Sequence, residues 1–299
     1  MRILVTGATG FVGVHLLGAL ERAGHKVSLV SRRPNVGHDW STDSLREGIE
    51  RNEAVVHLAG AGVMDKRWSH ARKEEILRSR VETTDRIARL VAEIGDRRLV
   101  SASAVGFYGD GIVDGDEDSP PGEGFLAEVC QKWEAALEPA IEAGVPTAWV
   151  RIGVVLGMGG GALGKMLLPF KLGLGGPLGS GRQSFPWIHV DDLCRSLRHL
   201  LEHPELEGPF NAVAPARTDQ RTFARTLGRV LGRPAFLPAP GLALRMILGE
   251  GASVLLEGQQ VAPRRLIESG FTFEHPDLEA ALGELVSRGH GPSMKPRGI

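Results

Sequence analysis

Three glycines near the N-terminus have the spacing of a turn that binds phosphate groups. Gly7, Gly10 and Gly13 lie three residues apart in GATGFVG, after the apolar run RILVT and before an amphipathic pattern. In such a strand–turn–helix unit the first glycine permits a tight turn, the second lets the backbone approach a pyrophosphate, and the third allows close helix–strand packing. The spacing predicts a dinucleotide-binding turn with the phosphates at the helix N-terminus. The alternative is a turn of this shape that has lost its ligand.

The residues after the second apolar run bear on which dinucleotide binds. An Asp or Glu at this position would accept hydrogen bonds from the ribose 2′-hydroxyl of NAD and would repel a 2′-phosphate. The sequence here is VSRRP, which places Ser31, Arg32 and Arg33 at that position. Guanidinium groups form charge-assisted, geometrically specific hydrogen bonds with phosphate. We therefore expect NADP(H) as the cofactor, and a solvated basic loop is the alternative.

Strand and helix patterns alternate in the first half of the chain and would position these residues. The predicted strands are residues 2–7, 26–31, 54–60, 97–105 and 146–157, and the predicted helices are 68–94 and 126–144, together with the helix after the glycine turn. Strands that alternate with helices of this length indicate βαβ units with parallel strands. The sequence therefore predicts an α/β fold, a Rossmann-type doubly wound parallel sheet.

The composition changes near the middle of the chain. Residues 157–181 are rich in glycine, but the embedded run MLLPF (166–170) argues against a plain flexible linker. We predict that residues 1–157 form an NADP-binding Rossmann domain, to which residues 185–200 return. Residues 158–299 are predicted to form mainly a glycine-rich lid and a small C-terminal substrate lobe.

Charge and cysteine content exclude several classes of protein. The formal net charge is −1, from 35 basic and 36 acidic residues, so there is no electrostatic attraction for nucleic acid or an anionic membrane. Cys130 and Cys194 are the two cysteines, and they have no metal-ligand spacing. We expect a cytoplasmic protein without a bound metal, whose partner is a small-molecule substrate, and we leave a homodimer open.

Motifs along the whole chain resemble one known superfamily. TGATGFVG, VVHLAG, SASAVGFYGD, VRIGVVLG and PWIHVDDL occur in this order. Together they resemble the extended short-chain dehydrogenase/reductase superfamily, in its epimerase-like branch. The sequence is most similar to an atypical subgroup usually labelled only "epimerase family protein", through RW (67–68), SRVETT (79–84) and the long segments 159–181, 231–240 and 255–273.

The resemblance implies NADP contacts beyond the glycine turn and a small C-terminal lobe that closes over the nicotinamide. It places the positions of Leu58 and Ala59 along the cofactor, brings Glu75 and Arg80 towards it from the long helix, and puts Val155 near the nicotinamide. Glu75 and Arg80 could instead form only an exposed ion pair. The complete predicted cofactor set is Gly7, Thr9, Gly10, Phe11, Val12, Gly13, Ser31, Arg32, Arg33, Leu58, Ala59, Glu75, Arg80 and Val155.

The resemblance also implies a Ser or Thr together with a Tyr-x-x-x-Lys pair, which would move the proton that accompanies hydride transfer. The one tyrosine of the chain, Tyr108, has no lysine four residues later. On the predicted helix 126–144, one alignment puts Leu126 and Cys130 at the tyrosine and lysine positions. Shifting the alignment to use Lys132 puts a glutamate at the tyrosine position. Neither alignment restores the pair.

Substitutes for the missing pair are few. Ser103 and Tyr108 are the candidate catalytic residues, and the alternative for Ser103 is a strand-end serine bonded to the backbone. We expect His57 to pack at a strand end and Asp192 to support the structure. Lys165 and Lys171 lie six residues apart in the glycine-rich stretch. We predict that they belong to a mobile lid that contacts a small anionic substrate, and two solvated lysines are the alternative.

The leading function is an NADP(H)-dependent oxidoreductase or epimerase-like enzyme that acts on an unidentified small molecule and lacks the usual Tyr-x-x-x-Lys pair. The alternative is a non-catalytic NADP(H)-binding redox sensor or regulatory protein. An NAD-dependent nucleotide-sugar epimerase is disfavoured by the residues at 31–33 and by the missing pair.

Overall fold

A parallel sheet forms the centre of the protein, whose computed structural model describes residues 1–33 and 36–288. The strands are β1 (Arg2–Thr6), β2 (Lys26–Val30), β3 (Ala54–His57), β4 (Arg98–Ala104), β5 (Thr147–Ile152), β6 (Val154–Leu156), β7 (Trp187–His189) and β8 (Gly208–Ala212). Six of them form one sheet in the order β2-β1-β3-β4-β5-β8, with every neighbouring pair parallel. The strands β6 and β7 form a separate parallel pair.

Helices cover the sheet and build the second half of the chain. They are α1 (Phe11–Arg22), α2 (Thr42–Glu50), α3 (His70–Ile94), α4 (Phe125–Ala135), α5 (Glu138–Glu142), α6 (Gly161–Lys171), α7 (Val190–Glu202), α8 (Gln220–Val230), α9 (Gly241–Leu248), α10 (Ser253–Leu256), α11 (Arg264–Glu268) and α12 (Leu278–Arg288). Two short 3-10 helices, Val105–Tyr108 and Gly249–Ala252, lie after β4 and α9.

Both faces of the sheet are buried, which is why its strands appear as continuous apolar runs in the sequence. Val5 belongs to a core cluster with residues of α1 and α7, whereas its neighbour Leu4 belongs to a cluster with residues of α2 and α3. Helices therefore cover both faces of the parallel sheet, and the predicted Rossmann-type α/β fold is confirmed. A further core, outside this sheet, joins α6, β7, α8 and α12.

Three segments differ from the sequence prediction in detail. Within the glycine-rich stretch, α6 forms because Leu163, Leu167 and Phe170 recur at helical spacing and are buried. The predicted helix 126–144 is divided into α4 and α5, and α5 begins afresh with a proline in its first turn. The helix α2 was not predicted. It begins after Ser41, whose side chain accepts a hydrogen bond from the backbone N–H of Ser44.

The division of the chain at residue 157 stays a prediction. Residues 185–200 contain β7 and most of α7, and α7 packs against α1 and β4 of the main sheet. The same sheet takes its last strand, β8, from further along the chain. Residues 289–299 of the predicted lobe lie outside the described residues.

Among residues 1–33 and 36–288, no helix combines the length and the apolar character needed to cross a bilayer.

Candidate functional site

The glycine turn lies where the order of the strands reverses. The chain leaves β1 for β2 on one side and returns to β3 on the other side, and ligands of such sheets bind at the carboxyl ends of the strands beside this reversal. Gly7 follows β1 with φ of +69°, and a Cβ on it would lie 2.7 Å from the carbonyl carbon of Leu58, which follows β3. A Cβ on Gly13 would lie 2.6 Å from the Cα of Ala8. Both positions therefore require glycine for this close approach.

The first turn of α1 faces this crevice without a side-chain cap. Gly10 occupies the cap position, makes no side-chain hydrogen bond and donates its own N–H to the carbonyl of Gly7 at 2.9 Å. No acidic residue lies in the first turn of α1, so the positive end of the helix dipole has no carboxylate there. Thr9 is exposed, and Phe11 and Val12 are half-buried. This arrangement fits a diphosphate.

The end of β2 presents a hydroxyl and two guanidinium groups. Ser31 is buried, and its Oγ accepts a hydrogen bond from the backbone N–H of Arg33 at 3.0 Å. The backbone N–H of Ser31 donates to the carbonyl of His38 at 2.8 Å. This hydrogen bond holds the loop against the end of β2. The side chains of Arg32 and Arg33 are exposed, and within the described part of the chain neither has an ion-pair partner. Both guanidinium groups can therefore take an anion.

Arg80 supports the backbone that follows β3. One of its guanidinium nitrogens donates to the carbonyl oxygens of Ala61 and Ile76, at 3.0 and 3.1 Å. The guanidinium lies 5.0 Å from the ring centroid of Trp133, and burial lowers the pKa of Arg80 from its ordinary value. Arg80 thus fixes the segment next to Leu58 and Ala59, both of which are half-buried.

Glu75 pairs with a different arginine from the one considered in the sequence analysis. Its carboxylate accepts from Arg72 at 2.6 Å, and this hydrogen bond lowers the pKa of Glu75. Arg72 is buried and also donates to the carbonyl of Gly62. An exposed ion pair between Glu75 and Arg80, the alternative left open above, is therefore wrong.

The start of α6 packs directly against the glycine turn. Cβ atoms on Gly160 and Gly161 would each lie 2.8 Å from the ring of Phe11, the first residue of α1. Val155, in β6 just before this stretch, packs against the core and pairs with Ile188. The predicted lid therefore begins in contact with the predicted phosphate site.

The two candidate catalytic hydroxyls belong to one buried network. Ser103 donates to Glu134 Oε1 at 2.6 Å, and Arg151 binds both oxygens of the same carboxylate at 2.9 and 2.8 Å. Arg151 also donates to the hydroxyl oxygen of Tyr108 at 2.9 Å, and the Tyr108 hydroxyl donates to Asn211 Oδ1 at 2.7 Å. Burial raises the pKa of Tyr108 to about 12. The phenol is therefore held in its protonated form.

A second carboxylate closes this network from the other side. Glu117 Oε1 accepts from the backbone N–H groups of Asn211 and Arg265, at 2.9 and 3.3 Å. Its other oxygen is buried and has no hydrogen-bond partner among the described residues. Burial raises the pKa of Glu117 from its ordinary value.

The positions that align with the missing tyrosine and lysine are apolar in their surroundings. Leu126 is half-buried and Cys130 is buried, and a Cβ on Gly106 would contact both side chains. Burial raises the pKa of the Cys130 thiol to about 12, so it remains a thiol rather than a thiolate.

The partners that organise this network were not predicted; they are Glu134, Arg151, Asn211 and Glu117. A signal was present for Arg151, because a charged residue inside the buried strand TAWVRI requires a buried partner. The identity of that partner depends on contacts between distant elements, which spacing along the chain does not show.

His57 and Asp192 are fully buried and make hydrogen bonds between separate elements. His57 is bonded at Nδ1 to Thr6 Oγ1 at 2.7 Å, and burial lowers its pKa to about 3. The carboxylate of Asp192 accepts the backbone N–H groups of Glu274 and His275, each at 2.8 Å. Asp192 therefore holds the segment before α12 against α7.

His189, Asp191 and His275 lie close enough together to hold a metal ion. However, His189 Nδ1 accepts the backbone N–H of Asp191 at 3.1 Å, and the rings of His189 and His275 stack at 3.8 Å between centroids. Two imidazoles that stack on their faces do not direct their nitrogen lone pairs at a common point. The cluster is therefore better described as a packing contact.

The fold and the glycine turn define an α/β protein of the dinucleotide-binding type. Residues 3–213 match the model of the NAD dependent epimerase/dehydratase family, and residues 239–285 match a domain of unknown function, DUF1731. The chain belongs to the NAD dependent epimerase/dehydratase family.

Relatives with similar length occur in animals and plants. The chain is 44% identical to epimerase family protein SDR39U1 of Bos taurus, over 96% of this chain and 100% of that protein. It is 40% identical to a chloroplastic SDR39U1 homolog of Arabidopsis thaliana, over 96% of this chain and 87% of that protein. The crystal structure of human epimerase family protein SDR39U1 (isoform 2) with NADPH is 42% identical, has a TM-score of 0.91, and is matched over 96% of this chain and 99% of that chain.

Proposed function

We propose that the protein binds NADP(H), with the diphosphate on the glycine turn and the 2′-phosphate at the end of β2. The observation that carries this proposal is the pair of exposed guanidinium groups, Arg32 and Arg33, beside the hydroxyl of Ser31, where no carboxylate stands. The NADPH in the structure of the human relative supports the same choice of cofactor.

The other residues of the predicted set would take distinct roles. The backbone N–H groups of Phe11 and Val12 would bind the diphosphate, with Thr9 at its rim. Leu58 and Ala59 would line the cofactor, and Arg80 would position their backbone. Glu75 would act through its ion pair with the buried arginine of α3, and Val155 would pack near the nicotinamide.

We further propose an oxidoreductase or epimerase-like reaction on a small molecule. When bound, the nicotinamide supplies or accepts a hydride. Ser103 carries a proton at the carboxyl end of β4 and shares it with Glu134 at 2.6 Å, which suits it to hydrogen-bond a substrate oxygen. Tyr108 is the second candidate, and its raised pKa keeps the phenol protonated, so that it can donate a hydrogen bond to a substrate oxygen.

Two observations favour the alternative, a redox sensor without turnover. The hydroxyls of Ser103 and Tyr108 already donate to protein oxygens, and Leu126 and Cys130 leave no polar group at the positions of the usual pair. Under this alternative the buried network serves stability, and the protein acts through a partner that recognises the NADP(H)-bound form.

Titration with the two reduced cofactors tests the binding proposal. In Arg32→Ala we expect the Kd for NADPH to rise about tenfold or more, as befits the loss of a charge-assisted hydrogen bond, while the Kd for NADH changes little. Arg89→Ala, which removes an exposed arginine paired with Asp85, is the matched control. Equal losses for both cofactors would contradict recognition of the 2′-phosphate.

Turnover separates the enzyme from the sensor. The protein saturated with NADPH is followed by nicotinamide absorbance against a panel of carbonyl compounds. Turnover that is lost in Ser103→Ala or Tyr108→Phe, with NADPH affinity unchanged, supports the enzyme. Tight NADPH binding without turnover across the panel supports the sensor.

Location and assembly remain proposals of the same kind. We propose a cytoplasmic protein with a small-molecule substrate and neither nucleic acid nor membrane as partner. Cell fractionation tests the location, and sedimentation at several concentrations tests the homodimer left open by the sequence.

A further inference from the structure

A cavity of about 340 Å³ lies on the surface of the C-terminal half of the chain. Its lining residues are Pro177, Arg221, Arg225, Arg233, Ala235 and Phe236. None of them belongs to the predicted cofactor set or to the buried network around Arg151. The volume falls at the small end of the range for ligand pockets.

The charge of this cavity is one-sided. Three of its six lining residues are arginines and none is acidic, although the whole chain is nearly balanced at −1. Arg221 donates to the carbonyl of Ser180 at 2.8 Å. Over residues 1–33 and 36–288, neither Arg225 nor Arg233 has an ion pair or a side-chain hydrogen bond. Neighbouring like charges repel one another, so the cluster has a cost that an anion would relieve.

Another arginine of α8 shows the contrast. Arg229 lies four residues after Arg225 on the same helix, but it pairs with Glu279 of α12 at 2.5 Å. On α8, Arg229 is therefore neutralised by a carboxylate of α12, whereas Arg221 and Arg225 line the cavity without an acidic partner among the described residues.

The backbone that carries these arginines is fixed. Phe223 and Leu227 are fully buried and anchor α8 in the core of this half. The N–H of Arg233 donates to the carbonyl of Gly228 at 2.9 Å, and a Cβ on Gly228 would clash with Ala235. The segment after α8 therefore packs against the helix. This packing holds Arg233 and Phe236 at the same cavity as Arg225.

Phe236 adds an apolar wall. Phe236 is 72% exposed and lines the cavity, and an aromatic face in this position can contact a ring or another apolar part of a ligand. Guanidinium groups match the geometry of phosphate oxygens and bind them in pairs.

We propose that this cavity binds the phosphate groups of a small phosphorylated molecule through Arg221, Arg225 and Arg233, with Phe236 against the rest of the ligand. The site is separate from the proposed NADP(H) site and does not depend on it.

The test uses inorganic pyrophosphate as the probe, titrated calorimetrically into the full chain saturated with NADPH. We expect one site, and we expect Arg225→Ala combined with Arg233→Ala to weaken it about tenfold or more. Arg229→Ala is the matched control, because it removes an arginine of the same helix that already has a partner. NADPH affinity is measured in every variant and is expected to stay within about twofold of the parent.

Several outcomes would overturn the proposal. One is an absence of pyrophosphate binding; another is a double variant that binds pyrophosphate as the parent does. A pyrophosphate signal that appears only without NADPH and is lost in Arg32→Ala would place the probe at the cofactor turn instead. Equal binding of malonate would show that the cavity recognises anions in general and not phosphate.

Discussion

Large apolar side chains are placed differently in two parts of the chain. We call residues 1–33 and 36–157 the sheet half, and residues 158–288 the C-terminal half. In the sheet half, β1, β3 and β4 are almost wholly buried, and exposed large apolar residues are scattered singly. In the other half they are concentrated between α6 and α9: Leu168, Leu172, Leu174, Phe236, Leu237, Leu242, Met246 and Ile247. The helix α9 has no buried residue. Patches of this kind commonly mark surfaces that meet a ligand or another molecule.

Beside the packing of α6 on Phe11, exposed polar contacts join the two halves near the crevice. Lys165 of α6 lies 3.7 Å from Asp65 and donates to the carbonyl of Met64 at 3.2 Å. Lys73 of α3 pairs with Glu250, just after α9. Exposed ion pairs of this type contribute at most about 1 kcal/mol each. The glycine turn is preorganised by close backbone packing, whereas these exposed ion pairs contribute little to stability.

The largest expected effect comes from the buried ion pair of the sheet half. Arg151→Met leaves the Glu134 carboxylate buried without its partner, and we expect the free energy of unfolding to fall by about 3–5 kcal/mol. Arg89→Met, at an exposed pair, should change it little. Urea denaturation of both variants checks this, and a small loss in Arg151→Met would mean that the network is hydrated rather than dry.

A smaller loss is expected at the glycine turn. In Gly13→Ala the new methyl group meets the Cα of Ala8 at 2.6 Å, so we expect a loss of about 1–3 kcal/mol together with loss of NADPH binding. Gly164→Ala, in α6 with nothing within 4 Å of the new atom, is the control. Thermal unfolding with and without NADPH measures both effects; equal behaviour of the two variants would contradict a preorganised turn.

The pH dependence of stability probes the contact between the halves at Glu117. Burial raises its folded-state pKa, so its contribution is fully present below the ordinary value and is lost as the pH rises through the folded-state value. Relative to Glu117→Gln, the parent protein should therefore lose stability as the pH rises above the ordinary pKa of a glutamate. Parallel pH profiles of the two proteins would show instead that Glu117 is solvated.

The smallest expected effect belongs to the apolar surface. Met246 is 65% exposed on α9, so Met246→Ser should change the free energy of unfolding by no more than about 0.5 kcal/mol, while it lowers the binding of an apolar fluorescent dye. Phe223→Ala, in the core formed by α6, β7, α8 and α12, is the contrasting variant and should cost about 3–5 kcal/mol. A large loss in Met246→Ser would mean that this surface is covered in solution.

Local patterns were sufficient for the elements that hold the cofactor turn. Gly7 and Gly13 have a recognisable spacing because the positive φ of Gly7 and the contact of Gly13 with Ala8 both arise within one strand–turn–helix unit. The strands were predictable because burial on both faces makes them apolar throughout. The glycine-rich stretch misled because its glycines suggested an irregular lid, whereas the apolar residues at helical spacing between them form α6.

Long-range side-chain contacts were beyond reach of the sequence. Tyr108 and Asn211 are 103 residues apart in the chain. Glu134 and Arg151 are 17 residues apart but lie on separate elements, α4 and β5. Glu75 illustrates the same limit at short range, because both Arg72 and Arg80 were available on α3 and only the fold distinguishes them. No sequence motif predicted the cavity beside α8. Arg233 lies after the end of the helix, and only the turn that follows α8 brings it to the cavity.

The ring of Phe11 couples the evolution of two distant stretches of the chain. Its edge and face occupy the space where side chains at Gly160 and Gly161 would otherwise stand. A relative with a smaller residue at position 11 gains room for alanine or serine at position 160, whereas one that keeps the aromatic ring must keep the glycine. Substitutions at these two sites should therefore covary across the family.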